Sequence, residues 1–194
     1  QQKVDDAEAV LNIASSVGRK IVSEKSEEIP SSASGSRALT KSQVLSALSD
    51  AYIKLGRLSS AELAVGAIDH PQKRAIALSK IGAAYANQGD RSKAQRILRK
   101  ALALSDTSEE YSHDSSRVYA LFSLIESSAE AGFPDDVNNA MERFLTLIEK
   151  DESGHDLVGQ FFVLGKLYDS RGISPTKKVD ALIKQIEAQQ NGDN

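Results

Sequence analysis

The amino-acid sequence predicts an all-α protein in which helix hairpins stack into an α-solenoid. Apolar residues recur at helical spacing through most of the 194-residue chain, and glycines interrupt the pattern where helices should end. Three residue types also repeat at a constant interval of 33 residues, namely a tyrosine, a glycine and an alanine: Tyr52 and Tyr85, Gly56 and Gly89, Ala61 and Ala94. A fixed interval of this length is typical of proteins built from repeated helical units. Aromatic residues make up only 5% of the chain, which suits helices packed by small and aliphatic side chains.

The segment from Ala75 to Asp106 is the most regular of these units. Its first half carries apolar residues at helical spacing, and so does its second half. Gly89 favours the end of the first helix, because glycine adopts the left-handed conformation without a Cβ penalty. Asp90 then provides an N-cap for the second helix, since its carboxylate can accept from free backbone N–H groups. A connection this short makes the two helices antiparallel neighbours.

Eight positions of this segment carry a family resemblance, and they combine small and large residues in a fixed order: Leu78, Ile81, Gly82, Tyr85, Gly89, Ala94, Leu98 and Ala101. The pattern resembles a tetratricopeptide repeat, although Leu78 stands where the family often has tryptophan. The resemblance implies a right-handed α-solenoid of four antiparallel helix hairpins. The repeats it implies are at about 40–70, 71–106, 114–150 and 155–189.

The third and fourth repeats are less regular than the first two. The interval between Gly89 and Gly132 is 43 residues, which indicates an insertion in the polar stretch before the third unit. In the fourth unit, Gly165 and Tyr168 restore the glycine–tyrosine pair of the central unit. Three motifs predict further helix starts by capping: Thr40-x-x-Gln43, Ser59-x-x-Glu62 and Ser174-Pro175.

Upstream of the repeats, residues 1–28 predict one amphipathic helix, and residues 29–39 predict a flexible linker rich in serine. The helix either caps the apolar end of the stack or completes a truncated repeat. Residues 40–194 then form the repeat domain. The chain begins with Gln1, which suits equally a mature chain after removal of a signal or transit peptide and a trimmed cytoplasmic protein.

Composition argues against several functional classes. The net charge of −3 is unlike the basic footprint of a general nucleic-acid binder. The chain contains no cysteine, so it has no disulfide, no thiolate zinc site and no cysteine nucleophile. No apolar run approaches the roughly 20 residues that a membrane helix needs. We therefore expect no nucleic-acid partner and no integral membrane segment.

The three histidines come closest to a catalytic or metal-binding pattern. His70, His113 and His155 each lie beside an aspartate, but all three fall in predicted loops between repeats. Successive repeats lie about 10 Å apart, whereas zinc–imidazole bonds are about 2.0–2.1 Å long, so the three loops do not converge on one ion. No G-x-S-x-G, P-loop or H-E-x-x-H motif occurs. The sequence therefore predicts no enzyme, no cofactor and no metal site.

Basic residues raise two further questions. Lys41, Arg74 and Arg117 each lie at the start of a first helix, where a cation opposes the helix dipole. We expect them to contact acidic residues or helix C-terminal carbonyls; the alternative is a basic edge for an acidic partner. The second helix of the central unit has five basic residues and no acid, which favours a solvated outer face over an anionic partner or membrane surface: Arg91, Lys93, Arg96, Arg99 and Lys100.

The resemblance also implies where a partner binds, because in this family the first helix of each hairpin lines a concave groove. The matching positions are Gln43, Ser46, Asp50 and Lys54 in the first repeat, Ser79, Ala83 and Asn87 in the second, Tyr119, Phe122, Glu126 and Glu130 in the third, and Phe162 and Lys166 in the fourth. Aromatic residues dominate binding hot spots, so Tyr119, Phe122 and Phe162 are the candidate anchors, with ordinary core packing as the alternative. The positions that match the family's clamp for chaperone C-termini do not carry its residues.

These features predict a protein–protein interaction module, which would act as an adaptor, scaffold or assembly factor. Its partner would be a peptide or helical segment bound in the concave groove. The alternative is a structural helical-repeat protein that self-associates into a homo-oligomer and has no peptide ligand, because the ends of a repeat stack expose apolar helix faces.

Overall fold

The computed structural model describes residues 41–106, 114–149 and 158–192, and within these ranges every regular element is an α-helix. Side chains are described for residues 41–106, 116–148 and 163–186. The prediction of an all-α protein is therefore confirmed for these ranges, whereas the predicted N-terminal helix and linker lie outside them. The helices are α1 (Lys41–Lys54), α2 (Leu58–Gly66), α3 (Pro71–Asn87), α4 (Arg91–Ser105), α5 (Asp114–Glu130), α6 (Pro134–Glu149), α7 (Val158–Arg171) and α8 (Lys177–Gly192).

Helices α1, α3, α5 and α7 all end in the same type of turn. Each is followed by a glycine with positive φ: Gly56 at 70°, Gly89 at 89°, Gly132 at 70° and Gly172 at 59°. In every case the residue after the glycine donates its backbone N–H to the carbonyl oxygen five residues earlier, as in Asp90 to Tyr85 and Phe133 to Ser128. This closure is the Schellman motif, which left-handed glycine permits. The helix ends predicted at these four glycines are confirmed.

The helices pack in a regular sequence of neighbours. Consecutive helices contact each other in the pairs α1–α2, α3–α4 and α5–α6. The first members of the pairs also contact one another in the order α1, α3, α5 and α7. The second members of the pairs are also in contact, α4 with α6 and α6 with α8. One apolar core extends from Leu45 in α1 to Ile186 in α8. This order places α3 and α5 side by side at the middle of the described chain.

Helices α3 and α4 pack closely at Gly82 of α3. A Cβ atom at this position would lie 2.6 Å from Cγ of Leu98 and 3.4 Å from the carbonyl oxygen of Ala94. Such contacts are shorter than van der Waals packing allows, so α3 and α4 can approach this closely only if residue 82 is glycine. At Gly165 in α7 the same Cβ would meet nothing within 4 Å. Gly165 therefore matches Gly82 in sequence but not in packing.

Two of the predicted helix starts require correction. Helix α2 begins at Leu58, and its N-cap residue Arg57 makes no side-chain capping bond, so the box predicted at Ser59 does not form. Helix α8 begins at Lys177, after Thr176, whose hydroxyl accepts from the N–H of Val179 at 3.3 Å. The start predicted at Ser174 is displaced because Asn138 of α6 binds this loop through the Ser174 carbonyl and the Thr176 N–H. Thr40 lies outside the described residues.

Candidate interaction groove

A concavity of about 380 Å³ lies across the C-terminal parts of helices α1, α3 and α5. We call it the groove, and it is lined by Asp50, Ile53, Lys54, Lys80, Ala83, Ala84, Asn87, Ser127 and Glu130. Five of the residues predicted to line a groove are among them, namely Asp50, Lys54, Ala83, Asn87 and Glu130. The small side chains of Ala83 and Ala84, together with Ile53, make the floor apolar. The remaining lining residues are polar or charged.

Polar side chains bridge the neighbouring helices that form the groove. Lys80 on α3 donates through Nζ to both carboxylate oxygens of Asp50 on α1, at 3.0 and 2.9 Å. Asn87 on α3 donates through Nδ2 to Oε1 of Glu130 on α5, at 2.9 Å. Because both bridges form within the chain, the walls of the groove are held in place before any partner arrives.

Ser79 lies beneath the groove and does not line it. The residue is fully buried, and its Oγ donates to the carbonyl oxygen of Ile76 at 2.8 Å. The same Oγ lies 2.9 Å from Oγ of Ser123 on α5. Ser79 therefore joins α3 to α5 in the protein interior, where it has no access to a ligand. Its small size also allows the two helices to pack closely.

Helix α5 presents Tyr119, Phe122, Glu126 and Glu130 on one side, since residues three and four apart share a helix face. Tyr119 is 59% exposed, whereas Phe122 is half-buried and packs against the core. Glu126 is exposed, yet burial of its carboxylate still raises its pKa above the ordinary value of 4.5. Of the candidate aromatic anchors, Tyr119 is thus accessible to a partner and Phe122 is partly so.

The remaining predicted groove residues lie near the two ends of the helix array. On α1, Gln43 is exposed and Ser46 is half-buried. On α7, Lys166 is exposed, while the side chain of Phe162 lies outside the described residues. Val163, next to Phe162 in the chain, is 45% exposed. None of these residues lines the central concavity, so the groove occupies only part of the predicted surface.

Sequence reasoning missed Ile53, Ala84, Ser127 and the role of Lys80. These residues lie beside the predicted stripe of groove residues. On α3 the groove covers positions i, i+3, i+4 and i+7, whereas the predicted stripe has only about one residue per helical turn. One signal for Lys80 is present in the sequence. Asp50 on α1 is equivalent to Ala83 on α3 at the interval of 33 residues, and Lys80 lies one turn before Ala83. The repeat therefore brings the negative charge of Asp50 close to the positive charge of Lys80 on the adjacent helix.

Helix α4, the basic helix, bonds to the helices on both sides of it. On one side Lys93 lies 2.8 Å from Oε1 of Glu62 on α2. On the other, Nε of Arg99 lies 3.4 Å from Oδ1 of Asp136 on α6. Arg91 donates to the carbonyl oxygens of residues 131 and 132, at 3.2 and 3.0 Å, where α5 ends. The predicted solvated face is therefore confirmed for Arg91, Arg96, Arg99 and Lys100, which are exposed, whereas Lys93 is half-buried.

The contact between α4 and α2 is a three-membered polar cluster. The Tyr85 hydroxyl donates to Oε1 of Glu62 at 2.6 Å and accepts from Nζ of Lys93 at 2.6 Å. Burial raises the pKa of Glu62, but the hydrogen bonds from Lys93 and Tyr85 outweigh it and leave this pKa below 4.5. The hydrogen bond to Glu62 in turn raises the pKa of Lys93. The cluster thus stabilises the charged forms of both partners.

The cations at the starts of the first helices find different partners. Lys41 donates to Asp69 at 2.7 Å, and Arg74 donates to the carbonyl oxygen of Ile68 at 2.6 Å, so the predicted compensation is confirmed for both. Arg117 instead borders a second concavity of about 360 Å³. Its Nε is buried and has no hydrogen-bond partner. The other residues around this concavity are Asp106, Glu142, Arg143, Thr146, Leu147 and Lys178.

The described ranges contain no metal-binding group and no membrane-spanning helix. Within them, no three histidine, cysteine, aspartate or glutamate residues are grouped so that they could hold an ion. His70 is the N-cap residue of α3 without a capping bond, and His113 and His155 lie outside the described residues. No helix in these ranges is long and apolar enough to cross a membrane. Comparison with protein-family models, with curated proteins and with solved structures returned no match.

Proposed function

We propose that this chain is a tetratricopeptide-like α-solenoid that binds a segment of another protein in the groove, and so acts as an adaptor, scaffold or assembly factor. The observation that carries the proposal is the recurrence of one helix-end geometry, the Schellman closure at Gly56, Gly89, Gly132 and Gly172. The same turn at four helix ends, with the preceding helices in contact one after another, is the arrangement expected of stacked hairpins. Four hairpins of this kind would expose their first helices on one concave face.

The shape and chemistry of the groove suit a peptide or a helix. Its floor is made of small and aliphatic side chains, which can accept apolar side chains of a partner. Its walls carry the Lys80–Asp50 and Asn87–Glu130 bridges, which fix the side chains without closing the concavity. A partner therefore meets a surface that is already ordered, and binding costs less side-chain entropy than on a flexible surface.

Two exposed hydrophobic residues allow a matched test of this proposal. Tyr119 is 59% exposed and lies about three turns before the groove residue Glu130 on the same face of α5, and Leu63 is 74% exposed on α2. Because both side chains lie at the surface, substituting either by alanine leaves the core intact. We expect affinity capture with the Tyr119→Ala variant to lose a protein that the native chain and the Leu63→Ala variant both retain. Identical captured proteins for all three chains would contradict a groove-binding function.

A further inference from the structure

The α5 end of the groove differs in charge from its α1 end. At the α1 end Lys80 neutralises Asp50, and Lys54 adds a positive charge. At the α5 end Glu130 lines the groove, and Glu126 lies one turn before it on the same face of α5, just beyond the lining residues. No described cation pairs with either of them: Glu130 accepts a neutral amide hydrogen bond from Asn87, and Lys166 on α7 has an interaction of its own. Among the described residues, these two carboxylates therefore have no cationic partner.

Hydrophobic side chains accompany these carboxylates. Tyr119 precedes Glu126 by two turns and is largely exposed, and Phe122 precedes it by one turn. Val163, on the adjacent helix α7, is 45% exposed. An aromatic ring beside a carboxylate favours a cation, because the face of the ring carries a partial negative charge and the carboxylate accepts hydrogen bonds. The aliphatic stem of lysine or arginine can cover the apolar surface at the same time.

Glu126 has an additional reason to favour a cationic partner. Its carboxylate is partly desolvated, which raises its pKa, and no described group donates a hydrogen bond to it. A charge that has lost part of its hydration without gaining a partner is unfavourable in the free protein. A bound ammonium or guanidinium group would supply the missing hydrogen bond. Glu126 would then be stabilised in its charged form.

We infer that the α5 end of the groove, together with the face of α5 that runs from Glu130 back to Tyr119, binds a basic segment of the partner, with a lysine or arginine against Glu126 and Glu130 and an apolar residue against Tyr119. This inference rests on the proposed function and specifies the chemistry of the partner. We assign a basic segment because its positive charges would complement the carboxylates of Glu126 and Glu130.

Synthetic peptides test the inference with the full chain. Three labelled helical peptides of about 15 residues share the same leucine positions and carry lysine, glutamine or glutamate at the remaining ones. Fluorescence anisotropy measures their binding to the native chain, to the Glu126→Gln variant and to the Asp135→Asn variant. Asp135 is an exposed carboxylate on α6, so its substitution matches the charge change outside the groove.

We expect the lysine peptide to bind more tightly than the other two, and increasingly so at low salt. Glu126→Gln should weaken its binding roughly tenfold, because a charge-assisted hydrogen bond is lost, whereas Asp135→Asn should leave binding unchanged. Equal binding of the lysine and glutamate peptides, or unchanged affinity in Glu126→Gln, would overturn the inference. If a captured protein is lost with Tyr119→Ala but retained with Glu126→Gln, the groove function stands and the basic partner is wrong.

Discussion

At the residue scale, Gly82 is the described glycine with the least space for a side chain. Its missing Cβ allows Leu98, which is almost fully buried, to contact the backbone of α3. The Leu98 atoms involved begin at Cγ, so the side chain cannot relieve a clash by moving only its tip. The glycine is therefore a packing requirement of the α3–α4 contact.

Substituting this glycine gives a prediction with an internal control. Gly82→Ala should reduce the free energy of unfolding by about 1–3 kcal/mol, because overpacking displaces Leu98. Gly165→Ala should instead raise it by about 0.5–1 kcal/mol, because Gly165 lies inside α7 with free space around it and alanine favours helix. Urea denaturation of the two variants measures both changes. Equal effects of the same sign would contradict the packing described for Gly82.

The pKa of Glu62 leads to a prediction about acid stability. Since its pKa is lower in the folded than in the unfolded chain, its ion pair stabilises the fold above pH 4.5, and this stability is lost as the pH falls through the folded pKa. Glu62→Gln should therefore lower the free energy of unfolding at pH 7 by about 1 kcal/mol and weaken its dependence on pH below 4.5. Urea denaturation at a series of pH values measures both effects.

The control for this prediction is Asp180→Asn, which removes an exposed ion pair with Lys184 on α8. Exposed pairs one turn apart contribute about 0.3–0.5 kcal/mol, so this variant should change stability little. If Glu62→Gln and Asp180→Asn have the same pH dependence, the cluster with Tyr85 and Lys93 does not stabilise the charged form of Glu62.

The role of a single residue was predictable where it depends on contacts with residues close in the sequence. The glycine stops and the Asp90 cap follow from neighbouring backbone groups, and the Asp90 carboxylate accepts from the Lys93 N–H at 3.0 Å. Glu62 was assigned to a capping box because Ser59 precedes it by three residues. Its actual partners come from α3 and α4, at sequence separations of 23 residues or more, which local patterns do not reveal.

At the element scale, α4 and α6 connect successive pairs in different ways. Helix α4 uses charges, through Lys93 and Arg99, to bond with the units on either side. Helix α6 uses the buried amide of Asn138, which accepts from the Tyr168 hydroxyl at 3.2 Å and donates to the Ser174 carbonyl at 3.1 Å. The partner tyrosine is buried as well, and burial raises its pKa to about 12.

A substitution of Asn138 tests the connection from α6 to α7 and α8. Asn138→Ala should lower the free energy of unfolding by about 2–3 kcal/mol, because the buried Tyr168 hydroxyl and the backbone of the loop before α8 lose their partner. Asn139→Ala, at the exposed neighbouring position, should be neutral or stabilising by about 0.5 kcal/mol through helix propensity. Thermal and urea denaturation measure the difference. A comparable loss in both variants would show that Asn138 is not a structural connection.

Helix ends show why elements were only partly predictable. The ends of α1, α3, α5 and α7 follow from glycine alone, whereas the starts of α2 and α8 depend on tertiary contacts. Helix α8 begins at Lys177 because Asn138 holds the preceding loop. The signal for this contact is absent from the local sequence around Ser174, which has the features of an ordinary N-cap.

At the scale of the whole molecule, the constant interval between tyrosine, glycine and alanine predicted which helices end alike. The interval also predicted part of the groove lining, because equivalent positions on adjacent first helices come together. Lys54, Asn87 and Glu130 are equivalent positions, and all three line the groove. The extent of the groove was not predictable, since it depends on how far α1, α3 and α5 are offset along their axes. Ser79 shows the consequence, because its position on the predicted face is covered by α5.

Photo-crosslinking tests the central claim that this groove is the partner-binding surface. A photoreactive residue at Lys54 lies in the groove, and one at Tyr119 lies on the same face of α5 as the groove residue Glu130. The same photoreactive residue at Arg96 or Asn139 lies on an exposed part of α4 or α6. We expect the photoreactive residues at Lys54 and Tyr119 to crosslink to the same protein and those at Arg96 and Asn139 to crosslink to none. Equal crosslinking at all four positions, or crosslinking only to a second copy of this chain, would contradict it.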